Sequence, residues 1–236
     1  MIKELDPDVI SFQEAIYASP GSRSRWRSVP KKGVQVIQEM ARALGYHYTF
    51  GYGQNKPPHS MQFPDTSGTI YWGPAVLSKH KILSTRRIPI GTGRILVESV
   101  FLFNGKKIKF YSTHLPPYWW PGYGLSAKRI KWAYNVRKEQ IRSMIKFFGK
   151  KARNSVLAGD FNSLSIFNEM DPLMKVMNDG FFMKGKGSGA TWPAYLPLVR
   201  VDYIFASRDF KILDCFVSDY NEDTDHRAVI ADLQIK

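Results

Sequence analysis

The chain holds a single cysteine, Cys215, among 236 residues, which excludes an intrachain disulfide and any metal site built from clustered thiolates. Cys215 sits in the apolar-leaning run Ile212-Leu213-Asp214-Cys215-Phe216-Val217 and reads as a small buried hydrophobe. Acidic residues are also scarce. Asp and Glu number 20 against 34 Lys and Arg, a net charge of +14. That excess attracts polyanions, whether nucleic acid, anionic lipid headgroups or phosphorylated small molecules, and does not choose among them. No apolar stretch approaches the roughly 18 residues of a membrane-spanning helix. The opening Met1-Ile2-Lys3-Glu4-Leu5-Asp6 does not read as a signal peptide, so a cytoplasmic location is expected. No low-complexity linker, charge block or internal repeat divides the sequence, and one domain over residues 1–236 is expected.

What is present is apolar material for a core: 44% of residues are hydrophobic and 14% aromatic, enough for a stable fold of this size. Apolar positions at Val34, Ile37, Met40, Ala41 and Leu44, closed by Gly45, have helical spacing. A longer helix is expected over 126–148, with Ile130, Ala133, Ile141, Met144, Ile145 and Phe148 mainly on one face and Gly149 after it. Strands are expected at 9–12, 69–77, 96–103, 107–113, 155–158, 201–206 and 228–235, and a short helix at 171–178. Asn104-Gly105 between two of these strands is a strong hairpin signal. Many short strands with several helices and a hairpin imply a mixed or antiparallel layered α/β sandwich.

Polar groups recur where these strands end. Leu157-Ala158-Gly159-Asp160-Phe161-Asn162 closes a buried strand with a carboxylate and an amide two residues apart, which an extended chain points to one face. Gln13-Glu14, Thr113-His114, Asp202 and Asp225-His226 stand beside four further apolar runs. Hydrolysis of a phosphodiester needs an activated water, a cation against the phosphoryl charge and donors around its oxygens. Glu14 suits a hard ion such as Mg²⁺, with Asp225 as a second carboxylate beside an imidazole. Asp202 can orient His226 and stabilise its charged form. His114 is a phosphate-oxygen donor, and Asp160 with Asn162 can position the attacking water. His47, His59 and His80 are read as structural or exposed.

Together, Gln13-Glu14, Thr113-His114, Gly159-Asp160-Phe161-Asn162, Arg200-Val201-Asp202-Tyr203-Ile204 and Asp225-His226-Arg227-Ala228-Val229 resemble the endonuclease/exonuclease/phosphatase superfamily, the DNase I-like fold, in order and spacing. Pro7-Asp8-Val9-Ile10, Ala75-Val76-Leu77-Ser78, Arg137 with Gln140, and Thr191-Trp192 add to the match. The resemblance implies a four-layered α/β sandwich with two mainly antiparallel sheets flanked by helices. It further implies phosphoester cleavage with Mg²⁺ or Mn²⁺. Carried over, Glu14 is a metal ligand assisted by Asp225, and His114 a phosphate-oxygen donor. Asp160 positions or deprotonates the water, Asn162 holds the phosphate, and His226, paired with Asp202, is general base or phosphate contact. Members ordinarily begin with a strand carrying an asparagine well before the glutamate, whereas Glu14 lies thirteen residues after Met1. The domain is therefore expected to lack its first strand.

Two segments suggest substrate contacts. Pro116-Pro117-Tyr118-Trp119-Trp120-Pro121-Gly122-Tyr123 can stack on bases or sit at a lipid interface, and Arg23, Arg25, Trp26 and Arg27 can track phosphates. Residues 180–186 fit G-x-x-x-x-G-K, but Gly187 replaces the Ser or Thr that would hold Mg²⁺, so a nucleotide-binding loop is rejected. The leading expectation is a Mg²⁺-dependent phosphodiesterase acting on nucleic acid. A lipid phosphodiesterase, sphingomyelinase-like, or a phosphoinositide phosphatase of the same superfamily is the alternative, and an inactive binding module the third.

Overall fold

The turn Asp6-Pro7-Asp8 separates a short helix, α1 (Ile2–Leu5), from the first strand, β1 (Val9–Ala18). The computed structural model describes residues 2–18, 36–51, 70–118, 125–149, 152–219 and 224–236. Arg23, Arg25, Trp26, Arg27, His59 and the stretch from Trp119 to Tyr123 lie outside the described residues. The chain divides into two units, Met1–Pro89 with Gly93–His114, and Ile90–Thr92 with Leu115–Lys236.

The first unit continues through α2 (Val36–Leu44), β2 (His47–Phe50), β3 (Ile70–Ser78), β4 (Ile82–Gly91), β5 (Arg94–Phe103) and β6 (Lys106–His114). Helix α2 forms where the apolar spacing predicts it and buries Ile37 and Ala41. Its end is a Schellman turn: Gly45 has φ 72°, its N–H bonds the Arg42 carbonyl, and the Tyr46 N–H reaches the Ala41 carbonyl at 2.8 Å. Strands β1, β3 and β2 form an antiparallel sheet with β3 central. Ala75 and Leu77 of β3 join Ala15, Ile37, Ala41 and Phe50 in a core under α2, while the intervening Val76 is also fully buried. This burial on both faces explains why residues 74–77 read as an unbroken apolar run.

Strand β1 runs on past Glu14 instead of ending there, because a bulge between Phe12 and Ala15 absorbs the interruption. The β5–β6 hairpin is as expected, with Asn104 and Gly105 both at positive φ (49° and 74°), the geometry of a type I′ turn.

Strand β4 has no clear alternation in sequence and lies at one side of the order β4-β5-β6. Arg86 on β4 forms a forked pair with Glu98 on β5 (Nε–Oε1 2.6 Å, Nη2–Oε2 3.0 Å), and Tyr111 of β6 donates to Glu98 Oε2 at 2.7 Å. Burial raises the Glu98 carboxyl, but the Arg86 and Tyr111 hydrogen bonds outweigh it and the net shift is downward. A depressed folded-state value means this stabilisation is complete above the unfolded value near 4.5 and is lost as pH falls through the lower folded value. Urea midpoints measured from pH 6 down to pH 3 should therefore fall, and the fall should be shallower in Glu98→Gln. Parallel acid limbs would show that Glu98 does not contribute.

The second unit holds α3 (Ala127–Phe148), β7 (Ser155–Asp160), α4 (Asp171–Met174), β8 (Asn178–Asp179), α5 (Gly180–Lys184), β9 (Asp202–Ala206), β10 (Phe210–Val217) and β11 (Val229–Ile235). Helix α3 starts at Ser126, whose side chain accepts from the Arg129 N–H, and stops at Gly149, whose N–H reaches the Ile145 carbonyl. Strands β7, β9 and β8 lie side by side in that order. Every residue of β7 is buried, and Phe161, Tyr203 and Phe205 pack ring to ring beside it at 5.4 to 5.7 Å. Residues 180–184, the start of the rejected nucleotide loop, form α5, capped by Asp179 at the Phe181 and Phe182 N–H groups. The expected helix at 171–178 is shorter, ending at Met174. Cys215 is buried and free, and burial pushes its thiol up to about 11.

Candidate active site

Antiparallel pairing of β7 with β9 sets Asp160 directly opposite Asp202. Two carboxylates from distant parts of the sequence thereby become neighbours. The Asp160 and Asn162 side chains also meet, but not by strand alternation: β7 stops at Asp160, and Asn162 adopts φ 49°, which asparagine tolerates better than most residues. The turn lets the Asn162 N–H donate to Asp160 Oδ1 at 2.7 Å and its Nδ2 to Asp160 Oδ2 at 2.8 Å. Nδ2 also donates to the Leu115 carbonyl at 3.0 Å, and the Leu115 N–H bonds the Asp160 carbonyl at 2.9 Å. Asp160, 5% exposed, is held from both sides.

His226 comes to this pair from the segment before β11. Its Nδ1 lies 2.8 Å from Asp202 Oδ2, which leaves Nε2 as the ring nitrogen available to a ligand. The donor atoms of Asp160, Asp202 and His226 all fall within 4.8 Å of one another. Residues 191–194 fix the His226 segment through three bonds: Ala194 N–H to the Asp225 carbonyl (2.7 Å), Arg227 N–H to the Thr191 carbonyl (2.8 Å), and Arg227 Nε to the Ala194 carbonyl (2.8 Å).

Electrostatics follow from this crowding. Burial pushes the Asp202 carboxyl up and the Asp160 charge adds to it, against the His226 hydrogen bond that pulls it down. For His226 burial favours the neutral ring, but the bond to Asp202 and the charges of Asp202, Asp160 and Asp225 prevail and raise it to about 9. The imidazolium is then the neutral-pH form.

The structure thus brings together Asp160, Asn162, Asp202 and His226, with Asp225 adjacent in sequence and exposed. Glu14 and His114 belong to the first unit. Glu14 is exposed at the β1 bulge with φ 54°, a strained conformation of the kind that gathers at functional positions. His114, 4% exposed at the end of β6, meets Trp72 edge-on at 5.5 Å.

Two features begin at residues the sequence marks only as part of the family match, Arg137 and Trp192, without showing what surrounds them. Arg137 of α3, fully buried, donates through Nε to Glu169 Oε1 (2.9 Å) and through Nη1 to the Pro116 carbonyl (2.8 Å), with its guanidinium 3.6 Å from the Tyr118 ring centre. The Tyr118 hydroxyl donates to the same Glu169 oxygen at 2.8 Å. The available signal was an arginine on the apolar face of α3, between Ala133 and Ile141. Glu169 gave none. The second feature is the loop 192–198, where Trp192, Tyr195, Leu196 and Leu198 are exposed.

The family model for the endonuclease/exonuclease/phosphatase family matches residues 1–226. Among solved structures, the chain is similar to an endonuclease/exonuclease/phosphatase from Beutenbergia cavernae, at 23% identity and TM-score 0.75, covering 99% of this chain and 64% of that one. It therefore spans just under two thirds of the Beutenbergia protein's length. D. rerio TDP2 complexed with a single-strand DNA product matches at 18% identity and TM-score 0.66, over 99% of this chain and 88% of that one. The human Nocturnin catalytic domain with bound sulfate matches at 14% identity and TM-score 0.65, over 100% and 83%. No curated protein sequence matches. With sheets flanked by helices in a DNase I-like arrangement and a family match across nearly its whole length, the chain belongs to the endonuclease/exonuclease/phosphatase family.

Proposed function

We propose that this chain is a divalent-metal-dependent phosphodiester hydrolase acting on nucleic acid. Members of its family are generally hydrolases of phosphodiester bonds and generally use divalent metals. The observation that carries the reading is the Asp202–His226 hydrogen bond placed beside an Asp160 carboxylate that Asn162 immobilises. With Nδ1 engaged by Asp202, His226 presents Nε2 as a charged donor for a phosphoryl oxygen. Asp160, held as an acceptor, orients the attacking water.

The donor set suits a hard ion, Mg²⁺ or Mn²⁺. Asp160 offers a carboxylate oxygen in the cluster with Asp202 and His226, and Glu14 and Asp225 are proposed as ligands on the family resemblance. Bound there, the ion would supply positive charge against the phosphoryl oxygens and acidify a bound water.

A polyanionic substrate fits the net charge of +14, and TDP2, a relative in fold, is seen with single-strand DNA. A lipid phosphodiesterase is the second reading, favoured by the exposed Trp192, Tyr195, Leu196 and Leu198 on a loop bonded to the His226 segment.

Hydrolysis of a bis-aryl phosphodiester with Mg²⁺ or Mn²⁺ tests the reaction class. Turnover is expected, reduced about 10²- to 10³-fold in His226→Ala and in Glu14→Gln. A folded chain without turnover would instead be an inactive binding module. Turnover of single-stranded DNA or RNA against sphingomyelin vesicles separates the two substrate readings.

A further inference from the structure

We infer that the solvent-facing side of α3 is a binding track for the backbone of a single-stranded nucleic acid. The inference rests on the nucleic-acid reading above and deepens it, assigning a surface that the reacting phosphate does not need.

The helix carries seven basic residues, Lys128, Arg129, Lys131, Arg137, Lys138, Arg142 and Lys146, against one acid, Glu139. At about 100° per residue, Lys128, Lys131, Lys138, Arg142 and Lys146 all fall within an arc of about 80°, along about 27 Å of helix. Lys128, Lys131, Arg142 and Lys146 are exposed and Lys138 is half-buried. Glu139 pairs with Arg142, which leaves four of the five charges uncompensated within the helix.

A merely solvated helix face reads differently. It interleaves both signs at i, i+4 spacing, as in surface helices laced with ion pairs. Here like charges share one face, and Lys128 and Arg129 occupy a first turn with no acid in it, against the helix dipole. The shared face gains the helix only the Glu139–Arg142 ion pair, and it suits a polyanion laid along the helix.

Trp132, 38% exposed, borders the stripe, with the Arg129 guanidinium 4.1 Å from its ring centre. An aromatic beside a basic track is the combination that stacks unpaired bases. A membrane surface fits less well, since an interfacial helix needs a broad exposed apolar face. The apolar side of α3 is instead buried through Ala133, Ile141 and Met144, and Trp132 is its one large apolar group among the exposed ones. The N-terminal end of the track is tied to the candidate site: Arg129 Nη2 bonds the Pro117 carbonyl, two residues after Leu115, which bonds Asp160 and Asn162.

The test is binding of fluorescein-labelled oligothymidylate in EDTA across a salt series, comparing the wild-type chain with the triple variant Lys128→Gln, Lys131→Gln, Lys146→Gln. Bis-aryl phosphodiester hydrolysis is measured in parallel. Losing three phosphate contacts should lower the log K against log salt slope by about two and low-salt affinity by at least about tenfold. Aryl hydrolysis should be unchanged. Trp132→Ala should weaken binding at every salt concentration with the slope preserved. Equal slopes in variant and wild type, or no oligonucleotide binding by the wild type, overturn the track. Loss of phosphatidylserine-vesicle binding with oligonucleotide binding intact reassigns the face to a membrane and also overturns it. Absent aryl turnover in the wild type would count against the hydrolase reading alone, since binding is scored separately.

Discussion

Replacing Arg137 by methionine is expected to lower the unfolding free energy by about 3–5 kcal/mol, because it leaves the Glu169 carboxylate buried without its cation. Arg137 and Glu169 are both fully buried, so the surviving charge cannot turn to water. The double variant Arg137→Met, Glu169→Leu should recover most of that loss, since an apolar pair avoids the desolvation that the ion pair must overcome. Recovery should stop short by about 1 kcal/mol, as the Tyr118 hydroxyl then lacks its acceptor. The effect should reach the candidate site, since Arg137 holds the Pro116 carbonyl and the preceding Leu115 carbonyl accepts from Asn162. Urea denaturation of both variants, with aryl phosphodiester turnover measured where each remains folded, checks this. A single variant within about 1 kcal/mol of wild type would show that the pair contributes far less than buried pairs usually do.

The elements legible in the sequence are those with local punctuation. Ser126 and Gly149 bracket α3, Gly45 ends α2, and Asn104-Gly105 turns β5 into β6, so periodicity and caps agree at each. Strand β4 was not legible because most of its positions are exposed and no alternation survives. β1 was cut short because the sequence does not display a bulge, and Glu14 at its apex looks like a strand end. The site shows the same division. Asp160, Asn162, Asp202 and His226 stood out as polar groups at strand ends, but their proximity comes from the β7–β9 register and from a left-handed turn at Asn162. Register depends on long-range pairing that single-strand patterns do not encode. Glu169 was invisible because one glutamate in a loop looks like any other until Arg137 is seen buried against it.

Changing Asp202 to asparagine should lower kcat for an aryl phosphodiester by about 10²- to 10⁴-fold while moving KM little, the behaviour of a residue that holds a catalytic imidazole. The fold should tolerate the change, since Asn is nearly isosteric and the Val201 and Asp202 N–H groups still face Thr191 Oγ1. What is lost is the negative charge 2.8 Å from His226 Nδ1. Without it the ring should fall from about 9 towards the ordinary histidine value near 6.5. A raised folded-state value means the stability that the charged His226 ring contributes is complete below the ordinary histidine value and is lost as pH rises through about 9. The imidazolium donor should therefore survive to about pH 9 in the wild type and be lost at lower pH in Asp202→Asn, where only the Asp160 and Asp225 charges still oppose burial. The activity deficit should then be larger at pH 8 than at pH 6, with the alkaline limb of kcat displaced to lower pH. A structural role alone would scale the profile down without shifting it. Superimposable limbs after scaling would mean that Asp202 does not set the charge state of His226 during turnover, and Asp160 would become the group to titrate.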